Sequence, residues 1–328
     1  MPQPSIAYAC GRIGAISKHL LKKAQLERLL ATQTYLEASK ALLDIGFMNH
    51  ESEDVQAVAD EHVGKAIRIL KEISPCTAIT NCYLYRYDMH NLKVLVKARQ
   101  LGIKPQFLTE NGVLPLSQLQ NAVTERRYGA LPNTLKLAMY DLEKQLAKQF
   151  DPLLVDARLD QAMMNMVFSD LKAIKDNSVK QTVQYFRTKA DVQNTIMLLR
   201  ARGMGKDFAF FEKVYLPHGT ITLRTYALAF TDQAKLSNLL RSYGEDIDHF
   251  LKICVQDKSV LPRLEALADD YLYALFADSR YQVDCINVLV RYLLTVQREA
   301  INIRLVMTSK RNGFTQEEVI GRVRELNG

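Results

Sequence analysis

The chain has 328 residues, and its 43 Lys and Arg against 36 Asp and Glu give a formal net charge of +7. A hydrophobic content of 48% is too high for a disordered or low-complexity chain, and the length suits two or three domains with buried cores. Five scattered cysteines without a Cys-x-x-Cys pair, and no run of 18 uninterrupted apolar residues, exclude a disulfide scaffold and a membrane-spanning chain.

Taken in chain order, the Pro-Gln-Pro start before Ser5 is expected to be a disordered tip. Leu20 to Leu43 reads as one helix or a helix pair, and Val63 to Ile73 as another. Aromatics follow at Tyr83, Tyr85 and Tyr87, then a long helical pattern from Asp88 to Gly102. Asn111-Gly112-Val-Leu-Pro-Leu-Ser117 has the look of a short extended piece and turn feeding a new helix. Leu135 to Phe150 and Ala162 to Ile174 are amphipathic, and Tyr185 and Phe186 precede a second long pattern from Asp191 to Gly205. His218-Gly219-Thr-Ile-Thr-Leu-Arg224 echoes the earlier extended piece. Ala234 to Tyr243 and Leu261 to Phe276 read as helices, with Tyr271, Tyr273, Phe276 and Tyr281 placed for packing. A third long pattern runs from Glu299 to Gly313, and Thr315 with Glu318 three residues on forms a capping box. With scarce Gly and Pro and no alternating strand pattern, the fold class is all-α.

The three long patterns align without a gap. Their starts at 88, 191 and 299 lie 103 and 108 residues apart, far longer than a solenoid unit of roughly 20–50 residues. Shared positions, counted from the acid, are offset 0 (Asp88, Asp191, Glu299), 3 (Asn91, Asn194, Asn302), 7 (Leu95, Leu198, Val306), 10 (Ala98, Ala201, Ser309), 11 (Arg99, Arg202, Lys310) and 14 (Gly102, Gly205, Gly313). At ~100° per residue these fall within an arc of about 100° on one helix face. The glycine suits a left-handed C-cap, and the cation complements the helix dipole. Asp88 and Arg99 stand roughly 16 Å apart along the axis, so each needs a partner on another element or water. Triplication argues for Asp-x-x-Asn holding an interior together, not for a catalytic or metal site. The repeat predicts three tandem homologous helical domains, 1–120, 121–226 and 227–328, in pseudo-threefold order, a body suited to a ring, socket or cap.

Other chemistry is thinly represented. Six histidines show no His-x-x-x-His spacing, Gly203-Met-Gly205 ends a helix where a phosphate loop would open one, and Asp269-Asp270 is half of a diphosphate site without its second cluster. No cofactor or metal is expected. The basic residues are spread among acids and apolar residues, and no RNA-recognition, helix-turn-helix or zinc-finger signature appears. Free thiols and the lack of a signal-type N-terminus suit a reducing, cytoplasmic setting.

The segment Tyr87-Asp88-Met-His-Asn91-Leu-Lys-Val-Leu-Val-Lys-Ala-Arg99, its echo ending Leu198-Leu199-Arg200-Ala-Arg202, the form Asn302-Ile-Arg304-Leu, and the opening Tyr8-Ala-Cys-Gly-Arg12-Ile together resemble the C subunit of V/A-type ATPases. That family includes the eukaryotic V-ATPase d subunit. The resemblance covers essentially the whole chain, although the third copy departs with Glu299 for Asp, Thr308 for a basic residue and Ser309-Lys310 for Ala-Arg. It implies a non-catalytic, funnel-shaped, all-helical rotor part. Such a part sits peripherally on the cytoplasmic face of the membrane rotor ring and receives the foot of the central shaft, with no nucleic-acid partner. The helix ends after Gly112, Gly219 and Gly313, including Thr315, recur at equivalent places and are candidates for partner contact. The rival readings are a stand-alone helical scaffold that binds an acidic protein or nucleic acid, and an α-helical metal-dependent enzyme that uses acidic residues such as Asp269 and Asp270.

Overall fold

The computed structural model describes residues 4–48, 54–175 and 179–326. The Pro-Gln-Pro tip lies largely outside them. Among the described residues there is helix and no strand, and no helix is long and apolar enough to cross a membrane.

In chain order the α-helices are α1 (Ile6–Ile16), α2 (Lys23–Ala31), α3 (Tyr35–Asp44), α4 (Val55–Ile73), α5 (Thr77–Leu101), α6 (Leu116–Glu125), α7 (Asn133–Leu146) and α8 (Pro152–Ala173). They continue as α9 (Lys180–Gly203), α10 (Phe208–Val214), α11 (Leu223–Thr231), α12 (Gln233–Leu236), α13 (Glu245–Gln256), α14 (Leu261–Ala274), α15 (Asn287–Arg311) and α16 (Gln316–Ile320). Leu20 to Leu43 is thus a pair, split where Thr32 and Thr34 turn extended and Thr34 caps α3. Ala234 to Tyr243 is not one helix. It breaks into α12 and a 3-10 turn, Arg241–Tyr243, before Gly244 at φ 117°.

Two compact units result. One joins Met1–Pro75 to Gln256–Gly328, and the other is Cys76–Val255. In the first unit α15 packs on α4, α1 and α3, and α16 packs on α2. A single core there links Leu21, Leu26, Leu29 and Leu42 from early in the chain to Ile303, Val306 and Val319 from late in it. In the second unit α5 packs on α8 and α6, α7 covers α8, and α9 holds α10 and α11.

The three repeat motifs lie on α5, α9 and α15. These helices are buried on more than one side, so the residues at offsets 4, 7 and 10 disappear from solvent in every copy. Glycines at offset 14 take φ 65°, 66° and 73°. The residue after each donates to the carbonyl at offset 10, at 3.0 Å in all three copies, the six-to-one bond of a Schellman end. Of the aromatics before the motifs, Tyr83, Tyr185 and Phe186 form one buried cluster. Tyr281 instead stands 82% exposed.

Candidate functional site

The site that the repeat defines is a buried polar clamp, present once on each long helix. Asp88, Asn91, Asp191, Asn194, Glu299 and Asn302 are all 0–1% exposed. A carboxylate or amide in that position needs hydrogen bonds, and each finds them on a backbone segment laid across the helix.

The asparagine acts first. Asn91 Nδ2 donates to the Thr109 carbonyl at 2.7 Å while the Thr109 N–H donates back to Oδ1 at 2.9 Å. Asn194 makes the same reciprocal pair with Leu216 (2.9 and 2.7 Å), and Asn302 with Arg324 (2.8 and 2.8 Å). One amide side chain thereby satisfies both polar groups of one residue's backbone.

The acid, one turn back along the helix, takes the next stretch of chain. Asp88 accepts from the N–H groups of Val113 (3.0 Å) and Leu114 (3.1 Å). Asp191 accepts from Thr220 (2.8 Å) and Ile221 (3.0 Å), and from the Tyr243 hydroxyl at 2.6 Å. So close an approach requires glycine just before those amides. A Cβ on Gly112 would lie 2.0 Å from Asp88 Oδ1, and one on Gly219 would lie 2.2 Å from Asp191 Oδ1.

The third clamp is closed differently. Glu299 Oε1 accepts from the Leu21 N–H at 2.6 Å, and Oε2 meets His62 Nε2 at 2.8 Å. Leu21 belongs to the start of the chain, yet it occupies the station of Leu114 and Ile221. A helix begins two residues after each of the three, at Leu116, Leu223 and Lys23. Five residues on, Leu119, Tyr226 and Leu26 are buried. The cation at offset 11 keeps the same register. Arg99 donates to the Val123 carbonyl at 2.7 Å and Lys310 to the Leu30 carbonyl at 2.9 Å, nine residues beyond Leu114 and Leu21 respectively.

Surrounding charges are committed to the scaffold. Arg99 also pairs with Glu143 at 2.6 Å and reaches the Tyr128 hydroxyl. Burial first, and Glu143 second, push Tyr128 up to about 12. Arg202, in the second copy, has a buried Nη1 without a hydrogen-bond partner among the described residues. At offset 5, Lys93 pairs with Asp160 of α8 and Arg304 with Asp60 of α4, so two long helices carry the same cross-helix tie. Burial raises the Asp191 carboxyl above its ordinary value, against the lowering effect of Tyr243 and the two amides. Asp269 and Asp270 face Arg324 and Arg298, which occupy the carboxylates of that half-motif.

Of the loop positions, Gly112 is buried against Asp88, Gly219 is half-buried against Asp191, and exposed Thr315 caps α16 with Glu318. The repeat motif in sequence carries no sign of Leu21, His62, Tyr243 or Glu143. The only trace is the shared spacing of Leu21, Leu26 and Leu30 with Leu114, Leu119 and Val123.

An all-helical protein whose recurring buried polar residues bind its own backbone is the class this geometry defines. A family profile described as ATP synthase (C/AC39) subunit matches residues 9–322, and the chain belongs to that family. It is similar to the C subunit of the V-type sodium ATPase of Enterococcus hirae, 24% identical over 84% of this chain and 83% of that one. The C subunit of the A-type ATP synthase of Thermococcus gammatolerans is 21% identical over 95% of this chain and 88% of its own length. Its counterpart from Methanothermobacter thermautotrophicus is 21% identical over 65% and 58%.

Proposed function

We propose that this chain is a non-catalytic central-stalk part of a rotary V/A-type ATPase, a socket that couples the central shaft to the membrane rotor ring during ion transport. It comprises three tandem helical domains, 1–120, 121–226 and 227–328, in a pseudo-threefold, funnel-like order, the third completed by the segment around Leu21. It works at the cytoplasmic face of the membrane, held there through the ring. Of the recurring loop positions, the exposed cap at Thr315 is the one offered for partner contact.

The family match across residues 9–322, with relatives named as C subunits of such machines, carries this reading. The clamps fit a mechanical task, because torque transfer needs loops that do not slide over their helices. Each is tied by three or more hydrogen bonds to fully buried side chains, where breaking one leaves a buried group unsatisfied. A net charge of +7 favours settling near anionic headgroups or acidic partner loops.

Native mass spectrometry of the purified chain with the central-shaft heterodimer tests the reading. A 1:1:1 complex is the expected result. Folded proteins that fail to associate, together with salt-sensitive binding of this chain to RNA, would replace it with the stand-alone scaffold.

A further inference from the structure

The first unit contains a cavity of about 850 Å³ between α1, the segment leading into α2, and the stretch from Tyr273 to Thr295. Its size falls in the range of small-ligand pockets, roughly 300–1,000 Å³. The hollow has a local cause. Helix α1 lines the cavity with buried Cys10 and Ile13 and with exposed Ala7, Gly11 and Gly14, and Lys18 joins them from the 3-10 turn Ser17–His19 that follows. A Cβ built on Gly11 or Gly14 meets no heavy atom within 4 Å, so the space beside the helix is unfilled. Two interior glycines weaken a helix relative to alanine, and this helix carries them where bulk would close the hollow.

The lining has one sign of charge. Lys18, Lys22, Arg280 and Arg291 line the cavity, and no Asp or Glu does. Arg291 is occupied, since it donates to the carbonyls of Phe276 (3.2 Å) and Ala277 (2.9 Å) and covers the Tyr273 ring. Lys18, Lys22 and Arg280 form no ion pair among the described residues. Away from these cations the walls are apolar, with Ile13, Leu20, Val283 and Val288. Val283 is 75% exposed at the lip.

We propose that this cavity binds an anionic amphiphile, a compact carboxylate or phosphate head on a single apolar chain. The head lies among Lys18, Lys22 and Arg280, and the chain lies along Gly11, Gly14 and Val288. Three exposed cations around one hollow, with no acid among its lining residues, favour an anion, and charge-assisted hydrogen bonds hold it. Apolar walls and missing helix bulk favour a chain over a bare ion. A neutral apolar ligand would leave the three cations without use, and inorganic phosphate would leave the apolar walls against water.

Isothermal titration calorimetry of the full chain with dodecyl phosphate, below its micelle concentration, tests this. Saturable one-to-one binding is expected, at least about tenfold tighter than for inorganic phosphate or for dodecyl maltoside, which each lack one half of the ligand. The double variant Lys18→Gln, Arg280→Gln should weaken binding by about tenfold or more, with an unchanged thermal midpoint. Gly14→Leu should abolish binding while the thermal midpoint holds or rises, because leucine favours the helix and has room. Inorganic phosphate binding as tightly as dodecyl phosphate would overturn the proposal, as would dodecyl maltoside doing so. Binding that survives Gly14→Leu would also overturn it, by placing the ligand elsewhere. Should that variant not fold, the lysine and arginine variant decides alone, and undiminished binding by it overturns the proposal. Parallel titrations with oleate and with lysophosphatidylglycerol separate the two sources of such a ligand, free fatty acid and membrane lipid, by which binds more tightly.

Discussion

The second and third clamps differ in one respect that the motif itself conceals. Asp191 is closed by chain that follows it, Thr220 and Ile221, and glycine at 219 lets the backbone descend onto the carboxylate. Glu299 is closed by Leu21, from 278 residues earlier. Arg324 still pairs with Asn302 as Leu216 pairs with Asn194, yet the amide that reaches the acid comes from the other side of the sequence. The early segment supplies that stretch of backbone, and its helix α2 supplies the Leu30 carbonyl for Lys310. The longer Glu side chain belongs with this arrangement, since it takes one amide and one imidazole where Asp191 takes two successive amides and a hydroxyl. A clamp can therefore be closed by backbone that lies far away in sequence, and a buried acid staples the two stretches together.

Substitutions can break that comparison at several points. The largest effect is expected from Gly112→Ala or Gly219→Ala, whose new Cβ would occupy the space of a carboxylate oxygen. Losing the clamp should lower unfolding free energy by about 3 kcal/mol or more in urea titrations, whereas Gly11→Ala should be neutral or stabilising. Next, Asp88→Ala and Asp191→Ala should each cost about 2–3 kcal/mol by leaving two backbone amides without their acceptor. Normal melting of both would show that the clamps do not hold the fold.

Glu299→Ala sharpens the contrast, because it should act on a segment far from it in the chain. Amide exchange is expected to rise in residues 20–31 and trypsin to cut at Lys22 or Lys23, with a global loss of about 1–2 kcal/mol. Protection unchanged in that segment would detach Leu21 from the third clamp.

Titration gives a subtler distinction. The native Asp191 carboxyl holds its proton to higher pH than the unfolded chain does. Its contribution to stability is therefore fullest below the unfolded value of about 3.9, and declines as pH rises through the raised native value. Thermal midpoints of Asp191→Asn relative to wild type should accordingly improve across that acidic window and be flat above it. The smallest effect is expected at His218, whose pKa is lowered by burial and by Arg187. There the sign reverses. Stability is present above about 6.5 and lost as pH falls from there through the native value, and His218→Gln should flatten that slope.

The local features were legible because they depend on short stretches of chain. Asn91, Asn194 and Asn302 share a face with their acids through helical periodicity alone, and Gly102, Gly205 and Gly313 stop their helices because only glycine enters the left-handed region freely. The capping box at Thr315 and Glu318 is likewise a matter of four residues. Ala234 to Tyr243 misled for the converse reason, since a helical hydrophobic pattern there yields to a 3-10 turn before Gly244, which adopts φ 117°. What the sequence by itself determined is the all-α class, the three motif helices and the residues each turns inward. Tertiary structure alone decided which backbone each buried acid would hold, that Tyr243 and His62 would join in, and that Leu21 would close on Glu299. Those partners lie between 25 and 278 residues away along the chain, and no local periodicity encodes a contact whose only requirement is an unsatisfied donor arriving at a buried oxygen.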